Sequence, residues 1–150
     1  MANMDIGMVG MAVMGSNLAL NMADHGYQVA CYNYTPDLTE TFVKEHPHEN
    51  AHPFYDLKEF VASLKKPRII MMMIMAGKPV DSMIDQLIPL LDKGDIIIDG
   101  GNSHFPDTQR RCKLVEEQGM LYIGTGVSGG AEGAFIGPSM MPGGSPAAWE

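Results

Sequence analysis

A glycine-containing turn between an apolar run and an amphipathic run limits what this chain can fold into more than any other feature. Residues 5–9 are typical of a buried strand, and residues 14–25 carry apolar side chains at helical spacing. Between them, residues 10–15 read GMAVMG, a GxGxxG pattern with alanine at its second glycine. Gly10 permits a tight turn, Ala12 is small enough for a ligand to approach the backbone, and Gly15 lets the helix pack closely on the strand.

A helix that begins at such a turn presents unpaired backbone N–H groups and the positive end of its dipole at one point. This arrangement favours the binding of a diphosphate group. The turn therefore predicts a site for a dinucleotide at the amino end of the chain.

The rest of the chain repeats the alternation of short apolar runs and longer amphipathic runs. This alternation of strand-like and helix-like segments predicts an α/β, Rossmann-like doubly wound fold, with a largely parallel sheet and helices on both faces. The predicted strands are residues 5–9, 27–32, 68–75, 96–99 and 120–123, and the predicted helices are residues 14–25, 36–45, 57–64, 79–91 and 106–118.

Two segments do not fit a simple helix or strand pattern. Residues 46–53 predict a break in regular structure. Residues 124–144 contain eight glycines and two prolines. So many glycines indicate backbone that approaches something closely or adopts positive φ, and the alternative is a loose surface loop.

Length and charge exclude several classes of protein. The 150 residues predict one domain over residues 1–150, and the net charge of −8 with scattered basic residues argues against a nucleic-acid partner. The longest apolar run, residues 69–76, is too short to cross a bilayer. We therefore expect no membrane partner and a cytoplasmic protein. Since Pro146 predicts the start of another helix, we also expect the protein to continue beyond Glu150.

Neither the cysteines nor the histidines point to a metal site. Cys31 and Cys112 lie far apart, without a partner spacing typical of zinc ligands or of a disulfide framework. We expect two buried thiols that act as small apolar side chains. The five histidines also lack a ligand spacing, so we expect no bound metal.

Asn33, Tyr34 and Thr35 follow the second predicted strand, at the place where such folds bind the adenosine ribose. A carboxylate there binds the 2′-hydroxyl of NAD, and an arginine accommodates the 2′-phosphate of NADP. Neither charge is present in this triplet. Asn33 can hydrogen-bond a hydroxyl or a phosphate, and Tyr34 can lie against adenine.

Two further polar segments follow predicted strands. Asn102 comes after strand 96–99 and two glycines, and Ser128, Gly129 and Gly130 come after strand 120–123. Both segments should lie at the carboxyl edge of the sheet, where doubly wound folds bind ligands. Glycine amides and a hydroxyl can accept an anion there. The alternatives are a turn-stabilising role for Asn102 and an ordinary structural role for Ser128.

Four segments together resemble the decarboxylating 6-phosphogluconate dehydrogenases. They are residues 5–18 (DIGMVGMAVMGSNL), 94–102 (GDIIIDGGN), 124–130 (GTGVSGG) and 137–144 (GPSMMPGG). The resemblance covers the whole chain. Its last two segments are the most specific, because the wider group of β-hydroxyacid dehydrogenases shares the serine and two glycines but rarely the GPSxMPGG.

The resemblance implies a set of ligand-binding residues. Those implied for NADP or NAD are Gly10, Met11, Ala12, Val13, Met14, Gly15, Asn33, Tyr34, Thr35, Ile74, Met75, Ala76 and Asn102. Those implied for 6-phosphogluconate are Asn102, Ser128, Gly129 and Gly130.

The resemblance also implies a reaction of the pentose phosphate pathway and of gluconate utilization. In this family, 6-phosphogluconate is oxidised at C3, the β-keto acid loses CO2, and the enediol is protonated to ribulose 5-phosphate. The family's lysine base and glutamate acid would lie beyond Glu150, so we expect no catalytic residue here and no activity from these 150 residues alone. The full-length protein is expected to be a homodimer, whereas this portion can be monomeric.

Three residues depart from the family pattern. Tyr34 replaces an arginine that binds NADP, Met75 replaces a common lysine, and Ala131 replaces a common glutamate. The loss of two cations predicts a relaxed or NAD-leaning coenzyme choice, with Lys78 as a partial compensation. Two alternatives stay open: another β-hydroxyacid dehydrogenase of the 3-hydroxyisobutyrate type, and a non-catalytic nucleotide-sensing module.

Overall fold

A seven-stranded, mostly parallel sheet forms the centre of the molecule in the computed structural model, which describes residues 2–149. In chain order the strands are β1 (Ile6–Val9), β2 (Val29–Tyr32), β3 (Ala51–Pro53), β4 (Ile69–Met72), β5 (Ile96–Asp99), β6 (Leu121–Ser128) and β7 (Ser139–Gly144). Their order across the sheet is β3-β2-β1-β4-β5-β6-β7. All neighbouring pairs are parallel except β6 and β7, which are antiparallel. The predicted Rossmann-like fold is confirmed.

Helices cover both faces of the sheet. They are α1 (Val13–Asp24), α2 (Pro36–Glu45), α3 (Leu57–Ala62), α4 (Lys78–Leu87), α5 (Phe105–Glu117) and α6 (Gly130–Ile136), with short 3-10 turns at Ile88–Leu90 and Pro146–Trp149. One apolar cluster joins α3, α4 and α5 to the sheet, and a second joins α1, α2 and α6 to the opposite face. Successive residues of a strand face opposite clusters, so Met71 belongs to the second cluster and its neighbours Ile70 and Met72 to the first.

Local signals explain several helix boundaries. The carboxylate of Asp56 accepts a hydrogen bond of 3.0 Å from the backbone N–H of Glu59 and begins α3. Gly26 and Gly119 follow α1 and α5 with positive φ, as expected for residues after a helix. The predicted helix over 79–91 is shorter than expected. α4 ends at Leu87 and the chain continues as a 3-10 turn, because Pro89 has no N–H to extend the α-helical ladder.

Three strand predictions need correction. Residues 46–53 were expected to lack regular structure, yet 51–53 form β3 because they pair with the exposed edge of β2. The strand expected over 68–75 ends at Met72, because the ladders that pair β4 with β1 and β5 both end at that residue. The strand expected over 120–123 continues to Ser128, because β7 pairs with it as far as Ser139.

The glycine-rich stretch 124–144 is regular, so the alternative of a loose surface loop is wrong. It consists of the end of β6, the helix α6 and the strand β7. A Cβ built on Gly124 would overlap the methyl group of Thr108 on α5, which shows that this glycine allows a close approach. Gly129, Gly130 and Gly144 adopt positive φ.

Two further expectations concern the cysteines and the membrane. Cys31 is buried, and burial raises the pKa of its thiol to about 12. Cys112 is only half-buried, because it lies at the border of a cavity beside α5.

In the part of the chain that the structure describes, no helix has both the length and the apolar character needed to cross a bilayer.

Candidate functional site

The carboxyl ends of the six parallel strands meet at one edge of the sheet, and the loops that follow β1, β4 and β5 pack there backbone against backbone. A Cβ built on Gly10 would overlap the carbonyl oxygen of Met73, and one built on Gly101 would lie 2.5 Å from the carbonyl oxygen of Ile74. Only glycine allows these approaches. The three loops therefore form one continuous rim.

The turn after β1 leaves the start of α1 open. Gly10 has φ of 102°, and a Cβ on Gly15 would overlap the Gly10 carbonyl oxygen, so both glycines are required for the helix to begin here. Among the described residues no side chain caps the helix at Ala12, and its first turn carries no acidic side chain. The N–H groups and positive dipole end of α1 are thus available to an anion.

Asn33 holds this turn in place. Its Oδ1 accepts a hydrogen bond of 2.8 Å from the backbone N–H of Met11, and its Nδ2 donates to the carbonyl oxygen (3.0 Å) and hydroxyl (2.9 Å) of Thr35. Both ends of the Asn33 amide therefore have partners within the protein. Sequence reasoning assigned Asn33 to the coenzyme and did not predict this role in shaping the turn.

Exposed apolar side chains surround the turn. Val13, Tyr34 and Met75 are 64%, 78% and 78% exposed and lie in the loops or helix starts that follow β1, β2 and β4. Ile74 is half-buried, and its Cγ2 would come within 2.8 Å of a Cβ on Gly10. The structure therefore brings Ile74, in the segment 74–76, beside Gly10.

Asn102 joins the loop after β5 to the end of β6. Its φ is 55°, a conformation that asparagine tolerates better than most residues. The amide oxygen accepts a hydrogen bond from the N–H of Val127 at 2.9 Å, and Nδ2 donates to the Val127 carbonyl at 3.3 Å. The side chain thereby fixes the backbone directly before Ser128, and its bonds reach a different strand instead of its own turn.

Ser128, Gly129 and Gly130 are exposed at the start of α6, on the same edge of the sheet. Gly129 and Gly130 have φ of 126° and 65°, so successive amides change direction there. Such a turn can accept an anion. Residues 10–15, 74–76, 102 and 128–130 thus lie at the same edge of the sheet, and residues 33–35 are joined to it through the bond of Asn33 to Met11.

A buried polar group lies beneath this rim, and sequence reasoning missed it. Tyr122 donates a hydrogen bond of 3.2 Å to Asp99, and burial together with this carboxylate raises the pKa of the phenol. Arg111, on α5, is fully buried beside Asp99 and holds the pKa of Asp81 below its usual range. The available signal in the sequence was the spacing of Arg111 and Val115. They are four positions apart and so lie on the same face of α5, the face that is buried.

Two other features complete the surroundings. A cavity of about 790 Å³ lies between α5 and the β6–β7 pair and reaches the rim at Asn102. Within residues 2–149, no group of three or more histidine, cysteine or acidic side chains is placed to hold a metal ion.

Comparisons with known proteins agree with this geometry. Residues 5–150 match the family model described as the NAD binding domain of 6-phosphogluconate dehydrogenase. The decarboxylating 6-phosphogluconate dehydrogenase of Chlamydia pneumoniae is 58% identical over 146 residues, which cover 97% of this chain and 30% of that protein. The NAD(+)-dependent, decarboxylating 6-phosphogluconate dehydrogenase of Bacillus subtilis is 55% identical over 139 residues, with coverages of 93% and 30%.

A solved structure is similar over nearly the whole chain. The Plasmodium falciparum 6-phosphogluconate dehydrogenase, studied in its apo form, with its cofactor NADP+ and with its substrate 6-phosphogluconate, superposes with a TM-score of 0.91 at 44% identity. The match covers 97% of this chain and 32% of that one. The chain thus spans 30% to 32% of the length of these three relatives.

Proposed function

The chain belongs to the family of NAD-binding domains of 6-phosphogluconate dehydrogenase, and from this membership we propose that it forms the coenzyme-binding domain, residues 1–150, of an enzyme that oxidatively decarboxylates 6-phosphogluconate. The products are ribulose 5-phosphate and CO2, with reduction of NAD or NADP. The observation that carries the proposal is the uncapped start of α1 at the Gly10–Gly15 turn, on the same rim as Asn102 and residues 128–130.

The residues around the turn fit a dinucleotide. Gly10 allows the turn to lie against Met73, Gly15 allows the helix start to approach Gly10, and the amides of residues 13–15 at the uncapped start of α1 are available to a diphosphate. We assign Tyr34 and Thr35, which follow β2, to the adenosine, and Ile74, Met75 and Ala76, which follow β4, to the same coenzyme. Asn33 supports this site through Met11. When bound, the nicotinamide ring supplies the acceptor for a hydride.

The far end of the rim suits an anionic sugar acid. Ser128 offers a hydroxyl and Gly129 and Gly130 offer backbone amides, all of them exposed. Asn102 sets their position through its two bonds to Val127. We assign these four residues to 6-phosphogluconate. Neither the base nor the acid of the reaction is assigned to this chain, so these 150 residues alone should bind ligands and turn nothing over.

The whole protein offers the decisive test. It should consume 6-phosphogluconate and NAD or NADP, and release CO2 in equal amount to the reduced coenzyme. Oxidation of 3-hydroxyisobutyrate without CO2 would instead favour the alternative dehydrogenase, and coenzyme binding without turnover of either compound would favour a sensing module. The family match, which includes residues 137–144, supports the first outcome.

The choice of coenzyme follows from charge at the rim. Tyr34 and Met75 are exposed and uncharged, and Asp37 and Glu40 follow on α2. A 2′-phosphate placed beside Tyr34 would meet acidic neighbours, and Lys78, the first residue of α4, is the exposed cation nearest in sequence to Met75. We therefore propose that the protein prefers NAD, or at most accepts both coenzymes.

A tyrosine-to-arginine exchange tests this preference. Tyr34→Arg should tighten NADP binding by about 1.5–3 kcal/mol, the range for a charge-assisted hydrogen bond, and leave NAD binding unchanged in calorimetric titrations. Tyr27→Arg is the matched control, because Tyr27 is also exposed but lies before β2, at the opposite edge of the sheet. A preference for NADP in the unmodified protein would contradict the proposal.

The remaining proposals concern the whole protein. We place it in the cytoplasm, as expected for an enzyme of sugar phosphate metabolism with free thiols. We also propose a homodimer, which sedimentation of the whole protein would test.

A further inference from the structure

Arg111 is the largest fully buried side chain of the described residues, and its charge needs an explanation. It lies in the middle of α5, where an apolar residue would satisfy packing against the sheet. A buried guanidinium is costly unless its N–H groups are paired, and an apolar replacement is often equally stable. Its presence therefore suggests a role in fixing geometry.

The hydrogen bonds of Arg111 reach the loop after β4. Nε donates to Oδ1 of Asp81 at 2.9 Å and Nη2 to Oδ2 of the same residue at 3.3 Å, which forms a two-pronged contact with the first turn of α4. Nη2 also donates to the carbonyl oxygen of Gly77 at 3.0 Å. Gly77 directly follows Ile74–Ala76, the segment proposed to contact the coenzyme.

Residues 75–77 of that loop are packed less closely than Met73 and Ile74, which lie against Gly10 and Gly101. A Cβ built on Gly77 would meet no described atom within 4 Å, and Gly77 has φ of 96°. Met75 and Ala76 are exposed. The Gly77 carbonyl also accepts hydrogen bonds from the N–H groups of Val80 (3.1 Å) and Asp81 (3.3 Å), so the bond from Arg111 adds a side-chain restraint from α5 at the point where residues 75–77 enter α4.

The other end of the guanidinium faces the loop after β5. Nη1 lies 3.8 Å from Oδ2 of Asp99 and has no hydrogen-bond partner among residues 2–149. Asp99 in turn accepts bonds from the N–H of Gly101 at 2.9 Å and from the hydroxyl groups of Ser103 and Tyr122. These bonds shape the loop that carries Asn102.

We propose that Arg111 is a positioning residue, which sets the loops after β4 and β5 relative to each other so that both contact one bound coenzyme. The inference rests on the proposed function. Arg111 touches neither coenzyme nor substrate and acts through Gly77, Asp81 and Asp99. Its loss should weaken coenzyme binding by the folded protein.

Arg111→Met tests this in the whole protein, with Arg110→Met as the matched control. Arg110 also bonds Asp81, at 3.1 Å, but its side chain is 52% exposed. Arg111→Met should raise the dissociation constant and the KM for NAD roughly tenfold, as expected when binding groups are misplaced, with kcat nearly unchanged. Arg110→Met should leave both constants near their original values. If Arg111 served only to stabilise the fold, Arg111→Met would lower the fraction of protein molecules that bind NAD. The dissociation constant and KM of the molecules that remain folded would then be unchanged.

Two further variants keep the test decisive if Arg111→Met does not fold. Arg111→Lys retains the charge without the two-pronged contact, and Asp81→Asn retains the shape of the acceptor without its charge. Both should also raise the dissociation constant for NAD. If the folded variants bind NAD with an unchanged dissociation constant, the positioning role of Arg111 is overturned and the proposed function is not affected. Failure of the unmodified protein to bind either NAD or NADP would overturn the proposed function, and this inference with it.

Discussion

Two separate requirements make Gly10 irreplaceable at the scale of a single residue. Its φ of 102° is unfavourable for any residue with a Cβ, and that Cβ would overlap the Met73 carbonyl and approach the Ile74 side chain to 2.8 Å. Gly26 has a similar φ of 92°, yet a Cβ there would meet no described atom within 4 Å. Comparison of Gly10 with Gly26 therefore separates the loss of stability caused by the positive φ from the loss caused by the steric overlap.

Alanine substitutions at these two glycines should differ in stability. Gly26→Ala should lower the free energy of unfolding by about 1–2 kcal/mol because of its positive φ. Gly10→Ala should lose about 1–3 kcal/mol more through overpacking against Met73, and should also weaken NAD binding. Unfolding in urea and calorimetric titration measure the two effects. Equal loss of stability in both variants would contradict the close approach at Gly10.

A residue of the rim can be predicted from the sequence when its role depends only on neighbouring residues in the chain. Gly10 and Gly15 follow from a pattern of six residues, because the turn and the helix start are made by those residues themselves. The bond of Asn33 to Met11 spans 22 positions, and that of Arg111 to Asp81 spans 30. Such bonds depend on how strands and helices are placed in the fold, so the residue types alone could not reveal them.

At the scale of helices and strands, apolar pattern predicts the order of elements better than their ends. The stripe of apolar residues on α4 is evident in the sequence, whereas β3 has three residues, among them His52 and Pro53, and forms only because β2 offers an edge. The length of β6 is likewise set by its partners. Gly124 lets α5 lie close to β6, because the methyl group of Thr108 occupies the space of a side chain.

A pair of substitutions tests this contact between α5 and β6. Gly124→Ala should destabilise the protein by about 1–3 kcal/mol, because its Cβ overlaps the methyl group of Thr108. Thr108→Ala removes that methyl group, so the double variant should recover most of the loss. The free energies of unfolding of all four proteins give the coupling. Additive effects would show that Gly124 is not needed for the approach of α5.

Charge acts at the scale of the whole molecule, since the chain carries a net charge of −8 and its proposed ligands are anions. The dipole and free amides of α1 favour the diphosphate only over a short distance. The net charge repels every anion over about 30 Å at 0.01 M salt, but over only about 10 Å at 0.1 M. NADP carries the larger negative charge, by about 1.5–2 units for its phosphate group, so repulsion penalises it more than NAD.

Salt should therefore change the relative affinities of the two coenzymes. When sodium chloride is raised from about 0.01 M to about 0.1 M, the dissociation constant for NADP should fall relative to that for NAD by roughly threefold to tenfold, because the repulsion is screened. Calorimetric titrations of the 150-residue chain at both salt concentrations measure this ratio. In Tyr34→Arg the trend should weaken or reverse, since a direct contact between arginine and phosphate is itself screened by salt. If the dissociation constant for NADP instead rises relative to that for NAD as salt is added to the unmodified chain, then cations near the 2′-position, such as Lys78, affect NADP binding more than the net charge does.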